Sequence, residues 1–549
     1  MSVLRVGPLV RAIRSDSVTI WTEWYQPCEV TISVRLTAEQ GVNSETITVR
    51  GHTVTVGERH YALSLLTGLQ AASWYDYQVQ RETRHGVSVA DAQAMLQCFR
   101  TLDAPDSHTP LRLAYGSCRR LSAETGDALS AFGPWLLRHW HERETRWPHL
   151  LLMIGDQIYA DEPGERKQAA QTFEEFAYMY EQAWTADVNV RQLLAMLPTY
   201  TIFDDHEIMN DWNITPTWHA EMLREGKEQT FIDGLVAYWL YQGWGNIGLQ
   251  EADSHPLLQI MQQAAQNGQD ALEPLRALLR QSLYQQIRLQ WHYTIPTAPP
   301  IFVTDLRTDR ALPHDKANPV DVVPRIMSEV QMEALRTWLR VHADSTVLVA
   351  CSVPAILPPL IGLAEYITGL RPFQQARIRF LRLLGHKLAA FQEKLAIDLS
   401  FDHWPAFNDT WRELVALLDT RRYDIVMLSG DVHFSYAMSA CRHRWRKRSA
   451  TLYQLVASPF RNILGLRDEQ LVLGQAWMKR ADFGGLHARV LPMREPATRR
   501  RVQHDMLFEN VVALVTCQPR SGERGAYDIQ QVYLGLVEEE LQEVGETVM

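Results

Sequence analysis

The chain has 549 residues, of which 46% are hydrophobic and 21% charged, and a formal net charge of −10. Such a length predicts two or more units, and the acidic balance argues against a nucleic-acid coat while leaving open an enzyme for small anions, whose site charge is local. No apolar run reaches membrane-spanning length, Met1–Pro8 lacks a secretory core, and the six cysteines form no CxxC pair; a cytoplasmic protein with reduced thiols and no membrane span is expected.

Residues 1–104 alternate apolar and polar side chains in short runs: Ser17–Thr22, Val30–Val34, Thr46–Val49, Tyr61–Leu65 and Trp74–Val79. Period-two patterning at this spacing predicts an all-β sandwich. Leu66-Thr67-Gly68-Leu69 ahead of Tyr75-Asp76-Tyr77 is similar to the tyrosine corner of fibronectin-type domains. Arg84-His85-Gly86 spells a phosphohistidine-type triplet, but it falls between sandwich strands and reads as a solvated turn. Thr101–His108 is a linker by composition. From 109 to 549, apolar runs separated by helical segments predict an α/β domain, with strands at 111–116, 149–155, 198–203, 301–304, 346–350 and 423–429. Ser328 with Gln331 forms a candidate capping box, and Asn408 or Asp409 caps the stripe Trp411, Leu414, Val415 and Leu418. Residues 217–290 and 360–398 read as helical insertions over the sheet edge. The basic runs Arg442–Arg448 and Arg499–Arg501 read as solvated loops, with an anion-steering patch as the alternative for the first.

Leu150–Ile154 is wholly apolar, as a strand buried on both faces requires, and Gly155 then turns the chain to present Asp156 and Tyr159. Other strand ends carry Cys118 with Arg119, Asp205-His206 with Asn210, and Asp431 with His433. Catalytic groups gather at the carboxyl edge of such sheets. Singly, each has a bland reading, a structural thiol or a satisfied core histidine. Together they crowd negative charge in a way that only cations relieve, so metal ions are expected. Thiolate with phenolate favours a trivalent transition ion, and Asp and Asn oxygens a hard divalent cation beside it. A two-metal clamp generates hydroxide near neutral pH and stabilises in-line displacement at phosphorus, which predicts phosphoester hydrolysis. The rival readings are a non-catalytic metal-stabilised scaffold and a hydrolase with Cys118 as nucleophile.

The blocks Gly116-Ser117-Cys118, Gly155-Asp156-Gln157-Ile158-Tyr159, Phe203–Asn210 and Ser429-Gly430-Asp431-Val432-His433, in that order, resemble the PhoD-like alkaline phosphatase/phosphodiesterase family of metallophosphatases. Thr304–Arg310 looks like that family's Asp-x-Arg block, and Asp402-His403-Trp404 lies where it carries an Asp-Trp segment. The resemblance runs from about residue 5 to 460. It implies a four-layer αββα fold behind a fibronectin-like entry domain, with iron(III) and calcium at the junction of two sheets. It implies further that Cys118 and Tyr159 ligate iron, Asp156 bridges the metals, Asn210 reaches calcium, and Asp431 and His433 complete the shell. Asp205 occupies the place of a ligand Asn, His206 becomes the proton donor to the leaving group, and Arg119 clamps a phosphoryl oxygen or lies at the surface. The twin-arginine signal of secreted members is not found at the start of this chain. The physiological substrate, the choice between monoester and diester, and the oligomeric state are not legible.

Overall fold

The computed structural model describes residues 4–37, 45–83, 86–89, 95–104, 107–162, 168–247, 255–310, 322–372, 377–442 and 450–549. Arg84 and His85, and most of the first basic run, lie outside them. The described N-terminal strands form two sheets. One orders Leu4–Ile13, Ser17–Trp24, Arg59–Thr67 and Val54–Val56; the other orders Ile47–His52, Glu29–Leu36, Trp74–Thr83 and Gly86–Val89, with Cys98–Arg100 paired to Trp74–Thr83. The tyrosine corner is present: the Gln70 amide donates to the Tyr75 hydroxyl at 2.7 Å.

From Leu111 onward the chain builds two larger sheets. A six-stranded sheet runs Thr199–Ile202, Leu150–Ile154, Leu111–Gly116, Val511–Pro519, Tyr527–Val537, Glu540–Val548, its first three strands parallel. A nine-stranded sheet holds the parallel run Ile301–Val303, Val347–Ala350, Ile425–Ser429, Leu452–Val456. Alternation along each strand explains the layers. Leu150, Leu152 and Ile154 share one buried cluster with Val303, Leu348, Val426 and Leu428 of the other sheet. Leu151 and Met153 instead face helices carrying Phe132, Phe176 and Leu193, while Val349 and Met427 face those carrying Leu335 and Trp411. The result is helix, sheet, sheet, helix. The strand Leu452–Val456 and the three C-terminal strands are not among those expected; in Tyr527–Val537 the alternation breaks at Gln530-Gln531, and the inward position is taken by the buried Gln531.

Two helix caps differ from expectation. Ser328 accepts from the Gln331 amide at 3.1 Å, but the Gln331 side chain serves the Asp305 backbone instead of closing a box, because the strand end there needs both a donor and an acceptor. Asn408–Leu417 begins after Phe407 with no side-chain cap; the Asn408 amide donates to the Pro405 and Tyr366 carbonyls. The first insertion lies against the edge strand Thr199–Ile202, where Asn246 bonds Thr201, and packs on the N-terminal sandwich as well. Leu257, Met261, Leu275 and Leu279 join Val54, Val56 and Trp21 in one core, and the Ala271 amide donates to the Thr55 carbonyl at 3.0 Å. Among the described residues no helix is long and apolar enough to cross a membrane, and all six cysteines are free.

His219, at the start of that insertion, is 2% exposed and bonds Asn213 through Nδ1 at 2.7 Å. Burial pushes its imidazole down to about 4. The unfolded chain therefore binds a proton that the folded one refuses, and stability is lost as pH falls from about 6.5 toward about 4. Urea midpoints at pH 7.5 and pH 5 should draw closer together in His219→Gln than in the parent chain.

Candidate metal centre

The two inner sheets bring their strand ends together. Gly116-Ser117-Cys118, Gly155-Asp156 and Asp204–Glu207 follow three adjacent strands of one sheet; Asp305–Arg307, Cys351, Asp431–His433 and Ser458–Asn462 follow strands of the other. Backbone bonds tie the two sets. The Phe460 amide donates to the Ser117 carbonyl at 2.7 Å, and the Arg461 amide to the Cys118 carbonyl at 3.1 Å. Gly430 permits this approach, since a Cβ there would run into the Ser117 side chain. Gly155 has φ +86°, and a Cβ on it would lie 2.6 Å from the Asp204 Cβ.

Cys118, Asp156, Asp431 and His433 all adopt left-handed backbone, with φ of 57°, 54°, 70° and 59°. Such conformations are costly for residues with a Cβ and persist where the surroundings over-determine them. Here they turn side chains from two sheets toward one point.

Asp156 is its centre. Its Oδ2 lies 3.4 Å from both the Cys118 sulfur and the Tyr159 hydroxyl, and its Oδ1 is buried without a protein partner. Single carboxylate oxygens of Asp156, Asp204, Asp205 and Asp431 lie within 4.8 Å of one another, and a nitrogen of His206 lies that close to Asp156 and Asp205. Burial, then the neighbouring anions, pushes the Cys118 thiol, the Asp156 carboxyl and the Tyr159 phenol far above their ordinary values. An orphaned buried oxygen among donors that resist ionisation is a cradle for multivalent cations, whose charge inverts these preferences. The donor set fits metal.

His433 donates through Nδ1 to the Asn462 carbonyl at 2.7 Å, which leaves Nε2 as the unprotonated ligand face. His206 stacks on Tyr159 with ring centroids 4.3 Å apart and bonds Asp161 through Nδ1 at 2.9 Å. Burial disfavours its cation, yet Asp205, Asp156 and Asp161 outweigh that and hold the imidazole protonated well above its usual range. Asn210 is exposed; its amide donates to Asp211 at 2.8 Å, leaving the carbonyl oxygen as the end a cation would use.

Arg119 is a correction. Its guanidinium is 2% exposed and engaged by Asp127 and the Ala183 carbonyl, so it is neither a surface group nor aimed at a phosphoryl oxygen. The left-handed turn at Cys118 sends the following side chain inward to the cap of helix Ala128–Arg138. The nucleophile reading of Cys118 also fails. The thiol is 1% exposed, its partners are Ser117, Ser458, Asp156 and the Asp431 carbonyl, and burial holds it protonated, whereas a reactive cysteine needs an accessible thiolate. Arg499 and Arg501 are exposed and pair with Glu546 and Asp505, as a solvated loop would.

Several further residues support the site from positions to which no motif assigns a role. Glu207 accepts from the backbone amides of Asp156, Gln157 and Asp204 at 3.1, 2.6 and 2.7 Å, clamping two metal-site loops with one carboxylate. Its Asp-x-x-Glu spacing after a strand was a usable capping-box signal. Asp161 and Asn462 had none. His403 bridges Asp431 and the buried Glu365 at 3.0 and 2.6 Å.

Glu207 is itself held by Gln242, whose side-chain amide donates to it at 3.0 Å from the π-turn Trp239–Gly243. The wide turn bares the Tyr241 and Gln242 carbonyls, and Arg11 of the sandwich takes them at 3.3 and 2.8 Å. Loss of such outer contacts typically weakens metal binding about 10–100-fold. Gln242→Met should do so in a chelator-competition titration, and unchanged affinity would show the clamp to be dispensable.

Comparisons with known proteins agree with this geometry. Residues 115–244 match the family model of PhoD-like phosphatases, and residues 1–97 match a domain of unknown function, DUF7800. No curated protein sequence matches the chain. A solved structure of PhoD aligns over 100% of this chain and 89% of its own at 14% identity, with a TM-score of 0.61. Purple acid phosphatase PPD1 from yellow lupin (Lupinus luteus) seeds aligns over 98% of this chain and 73% of its own at 9% identity, with a TM-score of 0.50. At such identities the likeness establishes the metallophosphatase fold.

Proposed function

We propose that this chain, which carries a PhoD-like phosphatase segment over residues 115–244, is a metal-dependent phosphoester hydrolase. The observation that carries the reading is Asp156, with one buried oxygen lacking a protein partner and the other 3.4 Å from both thiol and phenol. Cys118, Tyr159, Asp156 and His433 suit iron(III), and Asp156, Asp205 and Asp431, with the Asn210 oxygen, suit calcium or another hard divalent ion. When bound, such a pair acidifies water and neutralises charge on phosphoryl oxygens. The chain's own residues supply the rest. His206, oriented by the Asp161 carboxylate at its Nδ1, delivers a proton to the leaving-group oxygen. Tyr159, stacked on that ring, fixes its plane.

Residues 1–104 serve in this reading as a docking domain without chemistry of its own, and the catalytic unit begins near 109. Arg59 joins them, pairing Glu23 of the sandwich at 2.8 Å and Glu174 and Glu181 of the catalytic unit at 2.9 and 3.2 Å. The free thiols suit the cytoplasm. Elemental analysis of purified protein, with turnover of a chromogenic phosphodiester and its monoester counterpart, tests the function. Metal-loaded protein that hydrolyses neither would favour the scaffold.

A further inference from the structure

Helix Arg379–Asp398 has its polarity reversed. Its inner face buries Gln392 and Glu393 beside the small Gly385, Ala389 and Ala396. Gln392 donates to the Leu370 carbonyl at 2.6 Å and accepts from Arg371 at 3.2 Å, and Glu393 accepts from Thr217 through Oε2 while its Oε1 is buried without a partner. The outer face carries Phe380, Leu383, Leu384 and Phe391, which are 74%, 54%, 47% and 63% exposed. At 100° per residue these four fall within one third of the circumference, opposite Ala389. A surface helix ordinarily presents the opposite arrangement, and a contiguous apolar face marks an interaction site.

We propose that this face docks on an anionic lipid bilayer, as a helix lying in the plane of the headgroups. Exposed Lys387 and Lys394 decide the occupant, because they sit on the same stripe, one turn on from Leu384 and Phe391, and outnumber the single exposed acid there, Asp398 at the helix end. Aromatic and aliphatic side chains interleaved with lysines along one face enter the acyl boundary while the ammonium groups meet lipid phosphates. A second copy of the chain meeting this face about a twofold axis would bring the same lysines against each other. The chain's net charge of −10 opposes general adsorption to an anionic surface, so attraction must come from this patch. The proposal does not depend on the metal centre.

Flotation of the full chain with phosphatidylglycerol-containing vesicles, against pure phosphatidylcholine, tests it. The parent chain should float with the anionic vesicles, less so as salt rises. Phe380→Ser/Phe391→Ser should reduce the bound fraction at least tenfold, and Lys387→Glu/Lys394→Glu should abolish the preference for anionic lipid. Both variants alter exposed positions, and an unchanged melting temperature checks their fold. The proposal is overturned if the parent chain binds neither vesicle, if the Phe variant binds as well as the parent, or if the parent is a dimer that this variant dissolves.

Discussion

Asp156→Asn is expected to separate two effects that usually travel together, abolishing turnover while leaving the metal-free protein as stable as its parent or more so. The carboxylate is 1% exposed, and burial, then Asp204, Asp205 and Glu207, pushes its protonation upward against the lowering effect of His206. In metal-free protein this charge is therefore a liability, and a neutral amide of the same shape removes it. With metal the balance reverses, because Oδ2 lies against the thiol and phenol that would share the ions and Oδ1 is buried without a protein partner. A ligand at about 100 times its Kd stabilises the fold by about 2.7 kcal/mol, and that increment should vanish in the variant. Activity should fall by at least about 10²–10³-fold, the scale on which one electrostatic contact to a transition state is lost. Thermal melts with and without chelator, beside turnover and bound metal, read all three quantities. Full turnover, or metal content equal to the parent's, would remove Asp156 from the centre.

The fold and the site were legible in the sequence to different depths. Strands buried on both faces announce themselves as apolar runs, so the chemistry-bearing ends of Leu111–Gly116, Leu150–Ile154 and Ile425–Ser429 were placed within about two residues. Residue types at those ends indicated metal, because thiol, phenol, imidazole and carboxylate at one rim have few other uses. Orientation was not legible. Arg119 adjoins Cys118 in sequence yet turns inward, since the left-handed backbone at Cys118 itself reverses the direction of the chain. Partners far apart in sequence were equally hidden. Asp161 reaches His206 across 45 positions, and Asn462 reaches Tyr159 across 303. Nothing local in a loop records such a contact. The reversed helix at 379–398 shows the converse limit: its periodicity is readable, but which face is buried depends on Thr217 and Leu370, which only the fold supplies.

Arg307 should prove the most destabilising substitution near the site, through electrostatics and not through lost chemistry. The guanidinium is 1% exposed. Nε and Nη1 bond Asp204 and Asp402, and Nη2 stands 3.5 Å from Asp205 and 3.8 Å from Asp431. Burial alone would drive such a cation toward neutrality, yet the surrounding carboxylates hold it charged well above its ordinary value. Arg307→Met keeps much of the volume and leaves those acids buried with no counter-charge. Removing one partner of a buried ion pair typically costs about 3–5 kcal/mol. Arg307→Lys should recover little, because a single ammonium cannot reproduce a planar fork that serves two carboxylates at once. Adding Asp204→Asn to Arg307→Met should restore part of the loss, since the bare charge is then gone, and the double-mutant cycle measures how much of the effect belongs to that pair. Denaturant midpoints on metal-free protein provide the measurement. A loss below about 1 kcal/mol in Arg307→Met would mean that the carboxylates take up protons cheaply, and that their crowding places no strong demand for cations on the site.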